Sequence, residues 1–387
     1  MPKKNNETEG YLREKANQTF EPKPVLFDLG KSQDRSSLEE LIVSYKIQHV
    51  VDDYREQLHE LFEIENPGIV YTPNFKAEFE KRIAKLEKSK PLWVRGKWAY
   101  FPWLSTLVHL LDDKEFQIVR TARNKNLITK EEQNKFYNSV VGIGGLSIGN
   151  SVALAIVLQG GAKYIRLADY DRLALSNINR IRAGVDNLGL AKVEMTARQI
   201  YIINPYAQVE LFSDGLTKEN IEKFFSGPPR LDIVIDELDN LAVKYLIREQ
   251  AKRHKIAVVM AADNGDNGVV DIERYDLDPK TRFFHGRMGK VSYRSLLHLD
   301  KFEIGKMIAE YIGPENVTDR MQNSLLEMGK TIVSWPQLGG TALLNGSAIA
   351  YCVRKILNGQ PLEKNRAIIS LDEKLIPNHH SSTERKK

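Results

Sequence analysis

The chain has 387 residues, 42% of them hydrophobic, with 56 Lys and Arg against 51 Asp and Glu and a formal net charge of +5. That size suits two domains, and the interspersed charges argue against a dedicated nucleic-acid surface. The single cysteine, Cys352, excludes an intramolecular disulfide and a Cys-based structural zinc site. The N-terminus is polar and lacks the apolar core of a signal peptide, and no apolar run reaches membrane-spanning length, so the expectation is a cytoplasmic protein without membrane contact.

In chain order, residues 1–35 are polar and charged and are predicted to be a tail, as are residues 361–387. Residues 36–117 predict a small α+β region: a strand near Ile47 to Val51, an amphipathic helix, and a second helix over FKAEFEKRIAKLEKSK. LWVRGKWAYFPW follows, with a hairpin expected around Arg95, Gly96 and Lys97. Its tryptophans, Trp93, Trp98 and Trp103, are expected in a packed core or domain interface rather than on a ligand platform. From SVVGIGG onward, apolar strands alternate with helical stretches through YIRLAD, QVELF, LDIVIDELD and IAVVMAAD, which predicts an α/β domain with a mostly parallel sheet covered by helices.

The stretch VVGIGGLSIG places Gly142, Gly144, Gly145 and Gly149 between a strand and a helix, the setting in which a backbone loop approaches a phosphate. Asp169 follows Gly149 at the spacing of a ribose-binding acid, so this element alone fits a nicotinamide nucleotide, although Ser147 stands at the third glycine position. Asp171, Asn177, Arg180 and Lys192 then add an acid, an amide and two cations, more than a ribose needs and suited to a triphosphate. Asp239, after the strand LDIVIDELD, lies where open α/β sheets bind ligands and is the natural Mg²⁺ anchor. Each residue alone has a local alternative: a turn cap for Asp171, a backbone bond for Asn177, surface cations for Arg180 and Lys192, a helix N-cap for Asp239. The ordered set points to nucleotide chemistry.

The order of Gly-rich loop, D-x-D, S-N-x-x-R, G-x-x-K and D-x-x-D-N resembles the ThiF/MoeB/HesA-type adenylating domain, a relative of the ubiquitin-activating enzymes. The resemblance covers roughly residues 118–360 and implies a Rossmann-like fold. It implies that Asp169, Asn177, Arg180 and Lys192 hold ATP with the Gly-rich loop, and that Asp239 binds Mg²⁺ and supports adenylation. Val119 to Asn124 resembles the family's R-x-x-R-[QN] element, which implies a homodimer in which Arg123 reaches the neighbouring subunit's site. FPWLSTLVHLL, IERYD, FFHGRMG and SWPQLGG are similar to a bacterial branch often joined to a nitroreductase-like domain; that part is not found in this chain, and a separate flavin enzyme is a conceivable partner.

The expected reaction is adenylation of a substrate carboxylate to an acyl adenylate and pyrophosphate. Positioning and charge stabilisation suffice for it, without a triad. The carboxylate belongs to a small ubiquitin-like protein, a peptide, a small acid or a tRNA nucleoside; the residues do not choose. Thioester-forming relatives carry a cysteine after the strand IAVVMAAD, whereas residues 263–330 contain none, and Cys352 lies on an apolar helix face where a packing role is expected. His285, in the basic loop RFFHGRMGK, is a proton-transfer candidate or a solvated loop residue. Two alternatives stay open: a nucleotide-binding module without turnover, and an NAD-dependent oxidoreductase, which would leave Arg180, Lys192 and Asp239 without a role.

Overall fold

The computed structural model describes residues 2–16, 18–362 and 364–377. The chain divides into two compact units, Met1–Ala122 and Arg123–Lys387.

The N-terminal unit is α+β. In place of the tail expected over residues 1–35, a helix runs over Pro2–Ala16 and strand β1 over Val25–Phe27. Strand β2 spans His49–Asp52, β3 Lys97–Phe101 and β4 Thr106–Leu110, in the order β1-β3-β4-β2. Helix Phe75–Ser89 buries Phe75, Phe79 and Ile83, four residues apart on one face, as its spacing predicts. The hairpin lies one strand later than expected: β3 and β4 pair through Pro102–Leu104, and Gly96 precedes β3. Gly96 has φ +61, and a Cβ there would sit 2.1 Å from the Leu110 carbonyl oxygen, so close backbone approach rather than a hairpin turn requires the glycine. The tryptophans do not form one cluster, because Trp98 stacks on buried His109 at 4.3 Å while Trp93 is 53% exposed.

The C-terminal unit carries a seven-stranded sheet. Its strands are β5 (Val140–Gly144), β6 (Tyr164–Ala168), β7 (Gln208–Phe212), β8 (Ile233–Asp236), β9 (Ala257–Asn264), β10 (Asn267–Glu273) and β11 (Arg366–Ile369). The order is β11-β10-β9-β8-β5-β6-β7. The five apolar runs of the sequence form the parallel part, β9-β8-β5-β6-β7, and β10 and β11 extend it antiparallel. β11 comes from the segment expected to be a C-terminal tail, and Arg366 anchors it to Asp271 of β10, Nε to Oδ1, at 2.9 Å. The rest of that expected tail, 378–387, lies outside the described residues. Helix Gly339–Leu357 packs on helix Ile148–Leu158, where a Cβ on Gly346 would come within 2.7 Å of Ser151 Cβ.

Strand order reverses at β5: β6 and β7 lie on one side of it, β8 and β9 on the other. The crevice at the carboxyl ends of β5 and β8 is therefore where an open α/β sheet takes a ligand. Below it, fully buried Arg248 bridges Asp236 at the end of β8 and Glu273 at the end of β10, with Nε 2.8 Å from Glu273 Oε2. Among the described residues no helix is long and apolar enough to cross a membrane.

Candidate functional site at the carboxyl end of the parallel strands

The Gly-rich loop is shaped by close backbone approach. Gly145 has φ +83, and a Cβ on it would fall 2.2 Å from the Glu237 carbonyl oxygen, so only glycine fits. Its N–H donates to Ala168 O at 2.8 Å, and Glu237 N–H donates to Gly144 O at 2.8 Å, clamping the loop between the ends of β6 and β8. Gly142 and Gly149 serve packing instead: added Cβ atoms would meet Leu231 at 2.7 Å and Ile143 at 3.0 Å. Ser147 then leads into helix Ile148–Leu158, whose positive N-terminal end faces the crevice.

Asp169, 7% exposed, ties the loop down. Its Oδ2 accepts from Leu146 N–H at 2.7 Å and its Oδ1 from Asp171 N–H at 2.8 Å. Burial raises its carboxyl above the usual range, while nearby Lys192 and the two amide donors pull it back. Lys192 Nζ is 2.7 Å from Asp171 Oδ2 and 4.0 Å from Asp169 Oδ2. The sequence pairs D-x-D and G-x-x-K thus meet as one charged group.

Arg180 approaches the same loop, its Nε donating to Ser147 Oγ at 3.0 Å. Burial lowers its guanidinium, and the fields of Asp239 and Asp263 raise it. Asn177 is occupied locally, Oδ1 accepting from Ala174 N–H at 3.0 Å and holding the turn that carries Arg180. Asp239 is exposed, and the cap of helix Leu241–His254 is made by its neighbour: Asn240 Oδ1 accepts from Ala242 and Val243 N–H at 3.0 and 3.1 Å. The local alternative for Asp239 is thereby filled by another residue. Among the described residues no hydrogen bond or ion pair engages the Asp239 carboxylate. Arg123 is likewise exposed, on the turn Ala122–Asn124.

Two acids were not singled out from the sequence. Glu237, buried, accepts from Ala261 N–H at 2.8 Å, and burial holds its carboxyl well above the usual range. Asp263, at the end of β9, accepts from Asn345 Nδ2 at 2.7 Å and lies 3.4 Å from Gln337 Nε2. Burial pushes its carboxyl up to about 6, against those two donors and Arg180. Its position at the carboxyl end of a predicted sheet strand is a signal that would have found it; its partners, some 80 positions away, carry none. A carboxyl raised on folding contributes stability that is complete below its unfolded pKa and lost as pH rises through about 6. Asp263→Asn is therefore expected to gain on the parent as pH rises from 4 to 8, by up to about 3 kcal/mol, at about 1.4 kcal/mol per pKa unit. Denaturant titrations at the two pH values check this; an unchanged gap would contradict it.

The family model described as "ThiF family" matches residues 121–289, the span that contains every one of these loop and strand-end residues. A tRNA threonylcarbamoyladenosine dehydratase of Bacillus subtilis is 30% identical over 176 residues, 44% of this chain and 68% of that protein. The chain belongs to the ThiF family. An uncharacterized protein of Mycobacterium tuberculosis is 36% identical over 312 residues, 80% of this chain and 43% of that protein. The tRNA threonylcarbamoyladenosine dehydratase of Escherichia coli is 36% identical over 133 residues, 34% of this chain and 47% of that protein. The chain thus spans less than half the length of these last two relatives. Within this ThiF-family chain Cys352 falls outside the matched span, buried on helix Gly339–Leu357, and burial pushes its thiol up to about 11.

Proposed function

We propose that the protein adenylates a carboxylate with Mg·ATP. The observation that carries this reading is the convergence, at the switch point of the parallel strands, of the clamped Gly145 loop, the Lys192–Asp171–Asp169 group, Arg180 on Ser147, and the unengaged carboxylate of Asp239. A substrate carboxylate oxygen attacks the α-phosphorus, forming the acyl–phosphate bond while the bond to the bridging oxygen breaks and pyrophosphate leaves with the electron pair. Lys192 and Arg180 offset the charge on the phosphate oxygens, Asp169 holds the loop in register, and the backbone of the loop and helix N-terminus orient the chain of phosphates.

No group of three or more His, Cys, Asp and Glu suited to a metal occurs among the described residues. Mg²⁺ is commonly held by one or two carboxylates together with substrate phosphates. Asp239 would hold the ion, and the bound cation would supply neutralisation of phosphate charge. The substrate is proposed from the chemistry of the named relatives: a tRNA nucleoside carboxylate, with a small ubiquitin-like protein, a peptide or a small acid as the other carboxylates to assay. A nitroreductase-type flavin enzyme is proposed as a separate partner. The nucleotide test is a thermal melt. Mg·ATP is expected to raise the melting temperature increasingly with concentration and NAD⁺ to leave it unchanged; stabilisation by NAD⁺ alone would overturn adenylation.

A homodimer is proposed with Arg123 acting across the interface, because its guanidinium is exposed and bears the charge that a departing pyrophosphate needs. Arg123→Ala and Asp239→Ala proteins, each nearly inactive alone, should recover activity on mixing. Heterodimers that form without recovery would show that Arg123 does not act in trans.

A further inference from the structure

A cavity about 310 Å³ in volume lies against β10 and the turn that follows it. Its polar wall comprises Thr281, Arg282, His285, Lys364 and Asn365. The β9–β10 register pairs Asp263 with Gly268 but Val258 with Glu273. The cavity at the Glu273 end is therefore displaced by five residues, roughly 16 Å at about 3.3 Å per residue, toward the end of the sheet where β9 begins. It is separate from the nucleotide crevice.

Three features make it a built site. Arg282 and Lys364 are exposed and meet no carboxylate among the described residues, whereas the other lining cation, Arg274, is paired with Asp276 at 2.7 Å. The turn is then held in an unusual conformation: Phe284 and His285 have φ +54 and +52, a left-handed pair of non-glycine residues that persists only when its surroundings enforce it. They are enforced from below. Phe284 N–H donates to Glu273 Oε1 at 2.7 Å, and the Arg248 guanidinium lies 4.0 Å from the Phe284 ring centroid. Finally, this conformation brings His285 to the cavity, where Nδ1 lies 3.2 Å from Asn365 Nδ2 of the segment leading into β11. With Nδ1 accepting from that amide, the neutral ring carries its proton on Nε2, and burial favours the neutral form.

We propose that this cavity binds a small molecule through a phosphate monoester. Two cations that meet no carboxylate among the described residues match the double charge of the monoester, a guanidinium donates to two of its oxygens in bidentate fashion, and a hydroxyl and an amide remain for the other oxygens. The volume suits a small ligand rather than a polymer strand.

The test uses inorganic phosphate titrated into the full chain by calorimetry at constant ionic strength. The Arg180→Ala protein serves as the parent, so that binding in the nucleotide crevice is weakened. Adding Arg282→Gln and Lys364→Gln is expected to lower phosphate affinity at least tenfold, while the same pair in the native background keeps its full stabilisation by Mg·ATP. Ribose 5-phosphate should compete with phosphate, and an oligouridylate without terminal phosphate should not. Saturable binding unaffected by the paired change, no saturable binding in the parent, or competition by the oligouridylate alone would each overturn the proposal. No stabilisation of the native chain by Mg·ATP, with phosphate binding to the cavity intact, would count against the nucleotide reading alone.

Discussion

Asp239→Ala is expected to leave the protein folded and to lower acyl-adenylate formation by about 10²–10³-fold, the scale of removing one preorganised group that stabilises transition-state charge. The side chain is exposed, and the neighbouring cap belongs to Asn240, so its removal opens no cavity and frees no helix end. On the proposed reading the loss is confined to the cation that Asp239 would hold against the phosphates. Pyrophosphate release under saturating substrate, paired with a thermal melt, reads both halves of the statement. An unchanged rate would remove Asp239 from the mechanism, and a collapsed melt would assign it a structural role.

Arg248→Leu has the largest expected effect on stability, a loss of about 3–5 kcal/mol from the C-terminal unit, typical of breaking a buried ion pair by deleting one partner. Arg248 is fully buried between Asp236 and Glu273. Asp236 would keep Lys244 at 3.2 Å but lose one of its two cations, and Glu273 would keep the Tyr275 hydroxyl at 2.8 Å but lose its ion-pair partner. Leucine keeps the apolar stem of the side chain but is shorter than arginine and restores neither the charge nor the full volume. Urea unfolding measures the difference, and a loss below about 1 kcal/mol would place the network among those that an apolar core replaces at little cost.

Much of the C-terminal unit was legible because its strands are apolar runs closed by charged ends: Val140 to Gly144, Tyr164 to Ala168 and Ala257 to Asn264 fall on the runs read from sequence. The antiparallel strands were missed because β10 mixes Asp271 and Glu273 into a buried strand, and these acids are paid for by Arg366 and Arg248 from distant positions. Gly96 misplaced the hairpin because a glycine needed for a close approach reads like one needed for a turn. In the site, motif spacing located the Asp171–Lys192 pair, whose members sit on adjoining segments. Asp263 closes a strand read from sequence, but its burial beside Asn345 and Gln337, which raises its carboxyl, arises only from tertiary packing.

The antiparallel edge also bears on how the chain is made. β10 and its partner β11 are separated by about 90 residues, so at roughly 5–20 residues per second a ribosome leaves β10 waiting for roughly 5–20 s. During that interval Val269, Val270 and Ile272 lie in a strand whose outer N–H and C=O groups are open to any other nascent chain. A chain ending before Arg366 would keep that border open, so the last strand of the sheet, though the nearest in sequence to the C-terminus, is the one that closes it.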